Sequence, residues 1–413
     1  MILSSHPVLE SKHMKKTLNQ YMTPARVAKL VARELGNCDT VVDFAVGEGA
    51  LLGAVRKARK HVHVVGFDLD RGMVQTAQDA LGNADIRRGN GLAVRLPASS
   101  LAGRVSVVAN PPFTGATEDR HGWLRKAFKG LIGKLGQDRA EIQFLARSLL
   151  TARGSGGRVV IVLPIGFADG DVYRQLRTHL MTQYKLIRCI EICGDVFVDT
   201  EARTVMLVID TVGAPSFQVE ICEMPAGATK PISICKVILE PGMRLDARYH
   251  KAISLAGISV GPRLEDLKVT VTRGIVSRKE AETRSIAALH TTDLGRARGG
   301  RLVTSRLAAS TDEKHTVARR GDILLPRTGS RVSWTPVLVE SGAAPITDHV
   351  FRIRAPRAMR QVVLDSFLHP AFTDWLQGVS KGVCATVLTK SELMRMPVFA
   401  SSDYVARKVA VTS

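Results

Sequence analysis

The stretch VVANPPF, from Val107 to Phe113, constrains this chain most because it ends a strand in an unusual way. Two β-branched valines and an alanine are typical of a buried strand, but the two prolines after Asn110 offer no N–H to continue a ladder. We therefore expect the strand to end at Asn110 and a stiff loop to follow. Open α/β sheets bind ligands at the carboxyl ends of their strands, so this loop is predicted to face a ligand.

Segments typical of strands and helices alternate around this stretch. TVVDFAVGEG, HVVGFDLD, SVVANPPF, GGRVVIVLPIGF, KLIRCIEIC and TVMLVIDTV predict strands, whereas ALLGAVRKARK, RGMVQTAQDALG, EIQFLARSLLTA and VYRQLRTHLMTQ predict helices between them. This alternation predicts an α/β fold with a doubly wound, Rossmann-like sheet. Upstream, TPARVAKLVARELG predicts a helix that has Thr23 as its N-cap and Pro24 as its first residue.

The length and the charge divide the chain. A length of 413 residues favours two domains, and we place the boundary between residues 242 and 243. The formal net charge is +20, and the part from Pro241 to Ser413 holds 27 basic and 15 acidic residues, a net charge of +12. An excess of this size favours a polyanionic partner, and the smaller C-terminal domain carries most of it.

Other features concern the cellular compartment. The six cysteines are scattered and form no Cys-x-x-Cys pair, which favours reduced thiols in a cytoplasmic protein and predicts no metal site. The first residues, MILSSHPVLESKHMKK, lack the long apolar region of a signal peptide. The apolar runs are too short to cross a membrane, so we expect no membrane partner.

Two strand ends predict an adenosyl ligand. VVDFAVGEG places Asp43, Gly47 and Gly49 on a turn before a helix, where small residues let a ligand approach free backbone N–H groups. The dinucleotide pattern GxGxxG is absent because Leu52 occupies its third position, which makes a nicotinamide cofactor less favoured.

The next strand ends in GFDLD and supplies two candidate acids. Asp68 is placed where an acid commonly accepts hydrogen bonds from ribose hydroxyls. Asp70 lies two residues further along and points the same way, so it competes for this role.

Together these segments resemble the S-adenosylmethionine-dependent methyltransferases, and most closely the gamma class of DNA methyltransferases that make N6-methyladenine. In that class a TPxx helix, a GxG strand, an acidic strand and an NPPF or NPPY loop precede a C-terminal target recognition domain. YMTPARVAKLVA, VVDFAVGEGALL, VVGFDLD and VVANPPF show this order over about residues 19–210. Asn90 stands where the family usually has an aspartate. The resemblance implies that S-adenosylmethionine is bound by Tyr21, Thr23, Pro24, Asp43, Ala45, Gly47, Gly49, Asp68, Asn90 and Asn110.

The NPPF loop suggests how an amine is activated. The exocyclic amine of adenine is a poor nucleophile because its lone pair is delocalised into the ring. The side-chain carbonyl of Asn110 and the backbone carbonyl of Pro111 can accept its N–H groups, and the prolines hold these carbonyls in place. The base must be flipped out of a duplex to reach the loop. By the resemblance, GDVFVDTEARTVMLVID supplies a second face for the ring. The predicted catalytic residues are Asn110, Pro111, Pro112, Phe113 and Phe197.

The basic C-terminal part carries a second resemblance. RRGDILLPRTGS, PITDHVFRIRAP and LTKSELMRMPVF resemble, as a series, the target recognition domain of type I restriction specificity subunits, in a single copy. This implies a smaller α+β domain that binds double-stranded DNA. Arginines among its glycines and turns can bind phosphates or read guanine edges. The candidates are Arg296, Arg298, Arg301, Arg306, Arg327 and Arg331, with Arg319 and Arg320 beside them.

The expected function is site-specific DNA adenine-N6 methylation in a restriction–modification or phage-defence system. No nuclease constellation is evident, so a restriction endonuclease or another system subunit is expected to be a separate chain. Two alternatives stay open. One is a catalytically silent DNA-binding sensor on the same fold. The other is an RNA or protein-amide N-methyltransferase, because an NPPF loop specifies a planar amine or amide rather than DNA.

Overall fold

The computed structural model describes residues 22–97, 103–113, 118–129, 131, 139–193, 203–239, 241–255, 262–297, 300–303, 315–329, 334–380 and 386–399. The chain divides into two compact units, Met1–Ala247 and Arg248–Ser413. No helix in these ranges is long and apolar enough to cross a membrane.

The first unit is built on a single large sheet. Its described helices are α1 (Ala25–Glu34), α2 (Ala50–Ala58), α3 (Arg71–Leu81), α4 (Trp123–Ala127), α5 (Ala140–Arg153), α6 (Gly166–Asp169) and α7 (Arg174–Gln183), with a 3-10 turn at Asp171–Tyr173. Its described strands are β1 (Thr40–Asp43), β2 (His63–Asp68), β3 (Asp85–Arg88), β4 (Val105–Ala109), β5 (Arg158–Pro164), β6 (Lys185–Ile192), β7 (Thr204–Asp210), β8 (Gln218–Met224) and β9 (Ile232–Ile238).

The strand order confirms the predicted doubly wound sheet. The nine strands follow the order β3-β2-β1-β4-β5-β7-β6-β8-β9. The strands from β3 to β5 are parallel, and β7 runs antiparallel to both of its neighbours. The chain passes from β1 to β2 on one side and later returns to place β4 on the other side. The carboxyl ends of β1 and β4 therefore flank the point where the order reverses, which is where such sheets form a crevice.

Alternate residues of the central strands enter two separate cores. Val42 and Val107 pack on one face with residues of α5, and Val41 and Val108 pack on the other face with residues of α1 and α2. All residues of β1 and β4 are buried. Strands that are covered on both faces are predicted to be rich in apolar residues, and valine is the most frequent residue of both strands. This double packing holds the strand ends rigidly.

The start of α1 corrects one prediction. The predicted N-cap at Thr23 is wrong, because α1 begins at Ala25 and Pro24 occupies the N-cap position without a side-chain cap. Pro24 has an extended conformation, with φ of -61° and ψ of 145°, and is not the first helical residue. The hydroxyl of Thr23 instead bonds the distant residue Asn110. A tertiary contact has replaced the local cap.

The second unit is an α+β assembly with a smaller sheet. Its described helices are α8 (Ala247–Leu255), α9 (Arg278–Thr283), α10 (Thr291–Leu294), α11 (Arg360–Leu368), α12 (Pro370–Val379) and α13 (Lys390–Met394), with a 3-10 turn at Leu264–Leu267. Its described strands are β10 (Thr270–Arg273), β11 (Arg301–Val303), β12 (Val317–Arg319), β13 (Ile323–Pro326), β14 (Thr328–Gly329), β15 (Val337–Ser341), β16 (Ala343–Pro345), β17 (Val350–Arg354) and β18 (Thr386–Val387). Five strands form a sheet in the order β10-β17-β13-β15-β11. Phe351, Phe372 and Trp375 contribute to its core.

Candidate active site

A cavity lies at the carboxyl edge of the large sheet, where the strand order reverses. It is lined by the turn after β1, the end of β2, the loop after β3, the NPPF loop after β4, and the segment before α1. These segments are far apart in the chain, and the parallel strands bring them to one edge. Most of the predicted cofactor residues and the whole NPPF segment therefore meet in one place.

Asp43 is the most deeply buried acid of the cavity. Its side chain is 1% exposed, and its Oδ1 accepts a hydrogen bond of 3.0 Å from the backbone N–H of Ala45. Its Oδ2 has no hydrogen-bond partner in the described part of the chain. Burial raises the pKa of Asp43 to about 7, and the nearby charge of Asp68 also raises it. A cationic group in the cavity would favour the ionised carboxylate.

The two acids at the end of β2 have different tasks. Asp68 lines the cavity, and its two oxygens accept from the N–H groups of Gly47 and Asp70, both at 2.9 Å. Asp70 is the N-cap of α3, where it accepts from the backbone N–H of Gly72 at 2.7 Å and from that of Met73. Each carboxylate oxygen has two lone pairs, so Asp68 can accept further hydrogen bonds from a ligand. Asp70 is engaged in capping its helix and does not line the cavity.

The charge of the cavity is opposite to that of the chain. Three acids line it, namely Asp43, Glu48 and Asp68, and no Lys or Arg is among its described lining residues. The formal net charge of the whole chain is +20. Apolar side chains complete the wall, including Leu69, which is 57% exposed, and Met73. The cavity is suited to a ligand that has a cationic part and an apolar part.

Glycines allow the turn after β1 to take its path. Gly47 has a φ of 54° and Gly49 a φ of 83°, and both lie in the left-handed region that residues other than glycine rarely adopt. Gly49 is the N-cap of α2, and a Cβ there would lie 3.0 Å from the side chain of Leu81. The glycine pattern thus serves the turn and the packing of α2 on α3.

The NPPF segment meets the segment before α1. Asn110 follows β4 directly, and its Nδ2 donates a hydrogen bond of 3.0 Å to Oγ1 of Thr23. Pro111 is buried, whereas Asn110, Pro112 and Phe113 are half-buried. All four residues of the segment line the cavity. The loop that was expected to face a ligand therefore lies beside the acidic part of the cavity.

A buried arginine supports the loop after β3, and the sequence analysis did not identify it. Arg147 of α5 is 3% exposed and donates to the carbonyl oxygens of Gly91 and Val94. Its guanidinium lies over the Phe44 ring, 3.9 Å from the centroid, and burial lowers its pKa to about 10. Asn90, at the start of this loop, is exposed and accepts from the backbone N–H of Leu92 at 3.0 Å.

A signal for Arg147 exists in the sequence. In EIQFLARSLL, Arg147 lies close to four apolar residues, Leu145, Ala146, Leu149 and Leu150, and a buried guanidinium is costly unless carbonyl oxygens receive it. The carbonyl partners belong to a loop about 55 residues earlier, so their identity is not visible in the local pattern.

The candidate DNA contacts occupy several positions in the second unit. Arg296 is exposed after α10, and Arg301 begins β11 and donates to Oε1 of Glu340 at 2.6 Å. Arg327 is half-buried, and its guanidinium reaches the carbonyl oxygen of Asp348 at 3.4 Å. Arg319 ends β12 and Arg320 follows it in a turn, and both are exposed. The other predicted site residues lie outside the described residues, namely Tyr21, Phe197, Arg298, Arg306 and Arg331.

No group of His, Cys, Asp or Glu within the described ranges could hold a metal ion. The chain matches the N-6 DNA methylase family over residues 10–221, about half of its length. The chain belongs to this family. A comparison with curated proteins gave no match.

Three solved structures are similar at low identity. The type I restriction–modification methyltransferase subunit from Streptococcus thermophilus is 18% identical, with a TM-score of 0.42, over 54% of this chain and 53% of that chain. The M protein of the type I restriction enzyme EcoKI is 17% identical, with a TM-score of 0.39, over 64% of this chain and 60% of that chain. The type IIG restriction endonuclease BpuSI is 14% identical, with a TM-score of 0.46, over 98% of this chain and 62% of that chain. The chain thus spans about half to three fifths of the length of these proteins.

Proposed function

We propose that this member of the N-6 DNA methylase family is a site-specific DNA adenine-N6 methyltransferase that uses S-adenosylmethionine. It would act on a flipped-out adenine within a restriction–modification or phage-defence system. The observation that carries the proposal is that the NPPF segment and three acids line one cavity at the carboxyl edge of the sheet.

The described residues fit S-adenosylmethionine. This cofactor carries a sulfonium and an α-ammonium group, and the unpartnered Oδ2 of Asp43 is a buried acceptor suited to positive charge. Asp68 lines the cavity and would accept hydrogen bonds from the ribose hydroxyls. Leu69 and Met73 offer apolar surface for an adenine ring. A dinucleotide is disfavoured because its pyrophosphate would meet the acids.

The residues of the NPPF segment would hold the target amine. When bound, S-adenosylmethionine supplies a methyl group on a sulfonium, which is the electrophile. Asn110 Oδ1 and the carbonyl oxygen of Pro111 would accept the two N–H groups of the amine. This arrangement would favour a tetrahedral nitrogen, and because the two prolines would hold the carbonyls in place, little reorganisation would be needed during reaction. Phe113 would stack on the flipped base, and Phe197 is proposed for its other face.

The proposal of DNA as substrate is supported by the family and by the charge of the second unit. The family match ends at residue 221, so it does not extend to the second unit. The part from Pro241 to Ser413 has a net charge of +12. We assign target recognition to this unit, with phosphate or base contacts from its arginines, and we assign any cleavage to a separate endonuclease or system subunit.

Methyl transfer from tritium-labelled S-adenosylmethionine to DNA, RNA and protein, measured in parallel, tests the proposal. We expect label in DNA only, at adenine N6, and no label with Asn110→Ala. Long-read sequencing of DNA from cells that express the chain would identify the base and the site. Label in RNA or in a protein amide would replace DNA as the substrate. DNA binding without label would indicate a silent sensor.

A further inference from the structure

Asn90 organises the loop after β3 through its own oxygens. Its backbone carbonyl accepts from the N–H groups of Ala93 and Val94, at 2.7 and 3.0 Å, and its Oδ1 accepts from that of Leu92 at 3.0 Å. Asn90 and Gly91 line the cavity. These N–H groups are satisfied within the loop, but the carbonyl groups of the loop need donors from elsewhere in the chain.

Two side chains from beyond the NPPF segment supply these donors. Arg147 of α5 donates to the carbonyl oxygens of Gly91 and Val94. Trp123 begins α4, and its Nε1 donates to the carbonyl oxygen of Leu92 at 2.7 Å. A guanidinium and an indole N–H can only donate and a carbonyl can only accept, so the direction of each bond is fixed. We call Arg147 and Trp123 the carbonyl clamp.

The carbonyl clamp also reaches the turn after β1. The guanidinium of Arg147 lies 3.9 Å from the centroid of the Phe44 ring and 5.1 Å from that of the Trp123 ring. Phe44 lines the cavity, and a Cβ on Gly91 would lie 1.8 Å from its carbonyl oxygen. The clamp therefore contacts two neighbouring walls of the cavity, the loop after β3 and the turn after β1.

We propose that the carbonyl clamp holds these two walls in the conformation that binds S-adenosylmethionine. This inference rests on the proposed function, since it concerns affinity for that cofactor. A loop that is already ordered loses less conformational freedom on binding, so the clamp lowers the Kd without touching the ligand. Neither Arg147 nor Trp123 is among the described lining residues of the cavity, so both are positioning residues.

Arg147→Lys and Trp123→Phe test the proposal by calorimetry. Lysine keeps the charge but lacks the planar fork that reaches two carbonyls. We expect Arg147→Lys to raise the Kd for S-adenosylmethionine about tenfold, equivalent to about 1.4 kcal/mol. Trp123→Phe keeps an aromatic ring and removes one neutral donor, so its Kd should rise by about threefold. In both variants, kcat at saturating cofactor should stay close to the wild-type value, because neither side chain touches the reacting groups.

The indole N–H of Trp123 reports on the clamp without any cofactor. The chain contains three tryptophans, so the NMR signal of Trp123 is identified by its loss in Trp123→Phe. In the wild type this N–H is bonded to the carbonyl oxygen of Leu92. In Arg147→Lys the loop loses its fixed position, and the same N–H should exchange with water faster.

Arg177→Lys is the matched control. Arg177 is 1% exposed and donates to the carbonyl oxygens of Phe167 and Gly170, and burial lowers its pKa to about 10, as it does for Arg147. None of its described acceptors lines the cavity. This substitution should also lower the melting temperature, but it should leave the Kd and the Trp123 signal unchanged.

Three outcomes would overturn the inference. One is a wild-type Kd in folded Arg147→Lys or, if that variant does not fold, in Trp123→Phe. Another is an equal rise of the Kd in Arg177→Lys, which would attribute the loss to general destabilisation. The third is a fall in kcat at unchanged Kd. A wild-type chain that binds no S-adenosylmethionine would remove the proposed function as well, and the wild-type isotherm separates that case from the others.

Discussion

The cavity of the first unit and the candidate arginines of the second unit differ in the sign of their charge and in the structural elements that carry the charged side chains. The cavity gathers Asp43, Glu48 and Asp68 at rigid strand ends. Among the described candidate arginines of the second unit, Arg296 lies in a turn, and Arg301 begins a short strand and is already paired with Glu340. The net charge of the whole chain is therefore opposite in sign to the cavity, and each site must be understood from its own neighbours.

The largest expected effect tests the catalytic side of this comparison. Asn110→Ala should reduce methyl transfer by about 10²- to 10³-fold or more, because it removes a preorganised acceptor for the target amine. The melting temperature and the Kd for S-adenosylmethionine should stay close to the wild-type values. Single-turnover transfer to cognate DNA measures the effect, and near-normal rates would refute the amine-binding role of the NPPF loop.

The two acids after β2 provide a matched pair. Asp68→Asn should raise the Kd for S-adenosylmethionine at least tenfold, about 1.4 kcal/mol, because it weakens an acceptor that lines the cavity. Asp70→Asn should change this Kd less than twofold, since asparagine also caps helices well. Calorimetry on both variants decides between them, and the opposite result would move the ribose contact to Asp70.

The pKa of Asp43 predicts how cofactor binding depends on pH. This pKa is raised to about 7, so the free carboxyl is mostly ionised at pH 8 and mostly protonated at pH 6. A cationic ligand prefers the ionised form, and its Kd should rise by about tenfold from pH 8 to pH 6. Asp43→Asn should bind more weakly at pH 8 and lose this dependence. Parallel pH profiles for the variant and the wild type would contradict the assignment.

The same shift has the opposite sign for the stability of the free protein. A carboxyl whose folded pKa lies above its unfolded value favours the fold at low pH, and this contribution is lost as the pH rises from about 4 through 7. Asp43→Asn should therefore raise the melting temperature of the ligand-free protein at pH 8, relative to wild type, more than at pH 5.

The smallest expected effect concerns the arginines. Log affinity for DNA should fall linearly with log salt, and Arg296→Ala should flatten this slope by about one unit if Arg296 binds a phosphate. Arg301→Ala should flatten it less, because Glu340 competes with phosphate for the Arg301 guanidinium. Binding isotherms over a salt series measure both slopes. Unchanged slopes in both variants would place the DNA on another surface.

The fold of the first unit could be predicted because its signals are local. Strand β4 is buried throughout and is followed by Asn110 and two prolines, and a glycine turn follows β1. The doubly wound sheet follows from this alternation. The contact between Thr23 and Asn110 could not be predicted, because Thr23 followed by proline satisfies a helix-cap pattern and the competing partner is 87 residues away.

Details of the site also depended on tertiary structure. Asp68 and Asp70 are equivalent in sequence terms, and only the start of α3 assigns the second to a cap. The sequence shows Arg147 as a charge close to apolar residues of its helix, but its carbonyl partners belong to another loop. In the second unit, the ion pair between Arg301 and Glu340 joins β11 and β15, and no local sequence pattern indicates that these two strands are neighbours.

The unpartnered oxygen of Asp43 also bears on how long the chain survives in a cell. A fold that buries one oxygen of this carboxyl without a partner among the described residues is less stable when its cavity holds no cation. A ligand at 100 times its Kd adds about 2.7 kcal/mol of stability, and quality-control proteases degrade the unfolded fraction. If the proposed cofactor fills this cavity, the abundance of the protein should therefore follow the cofactor supply.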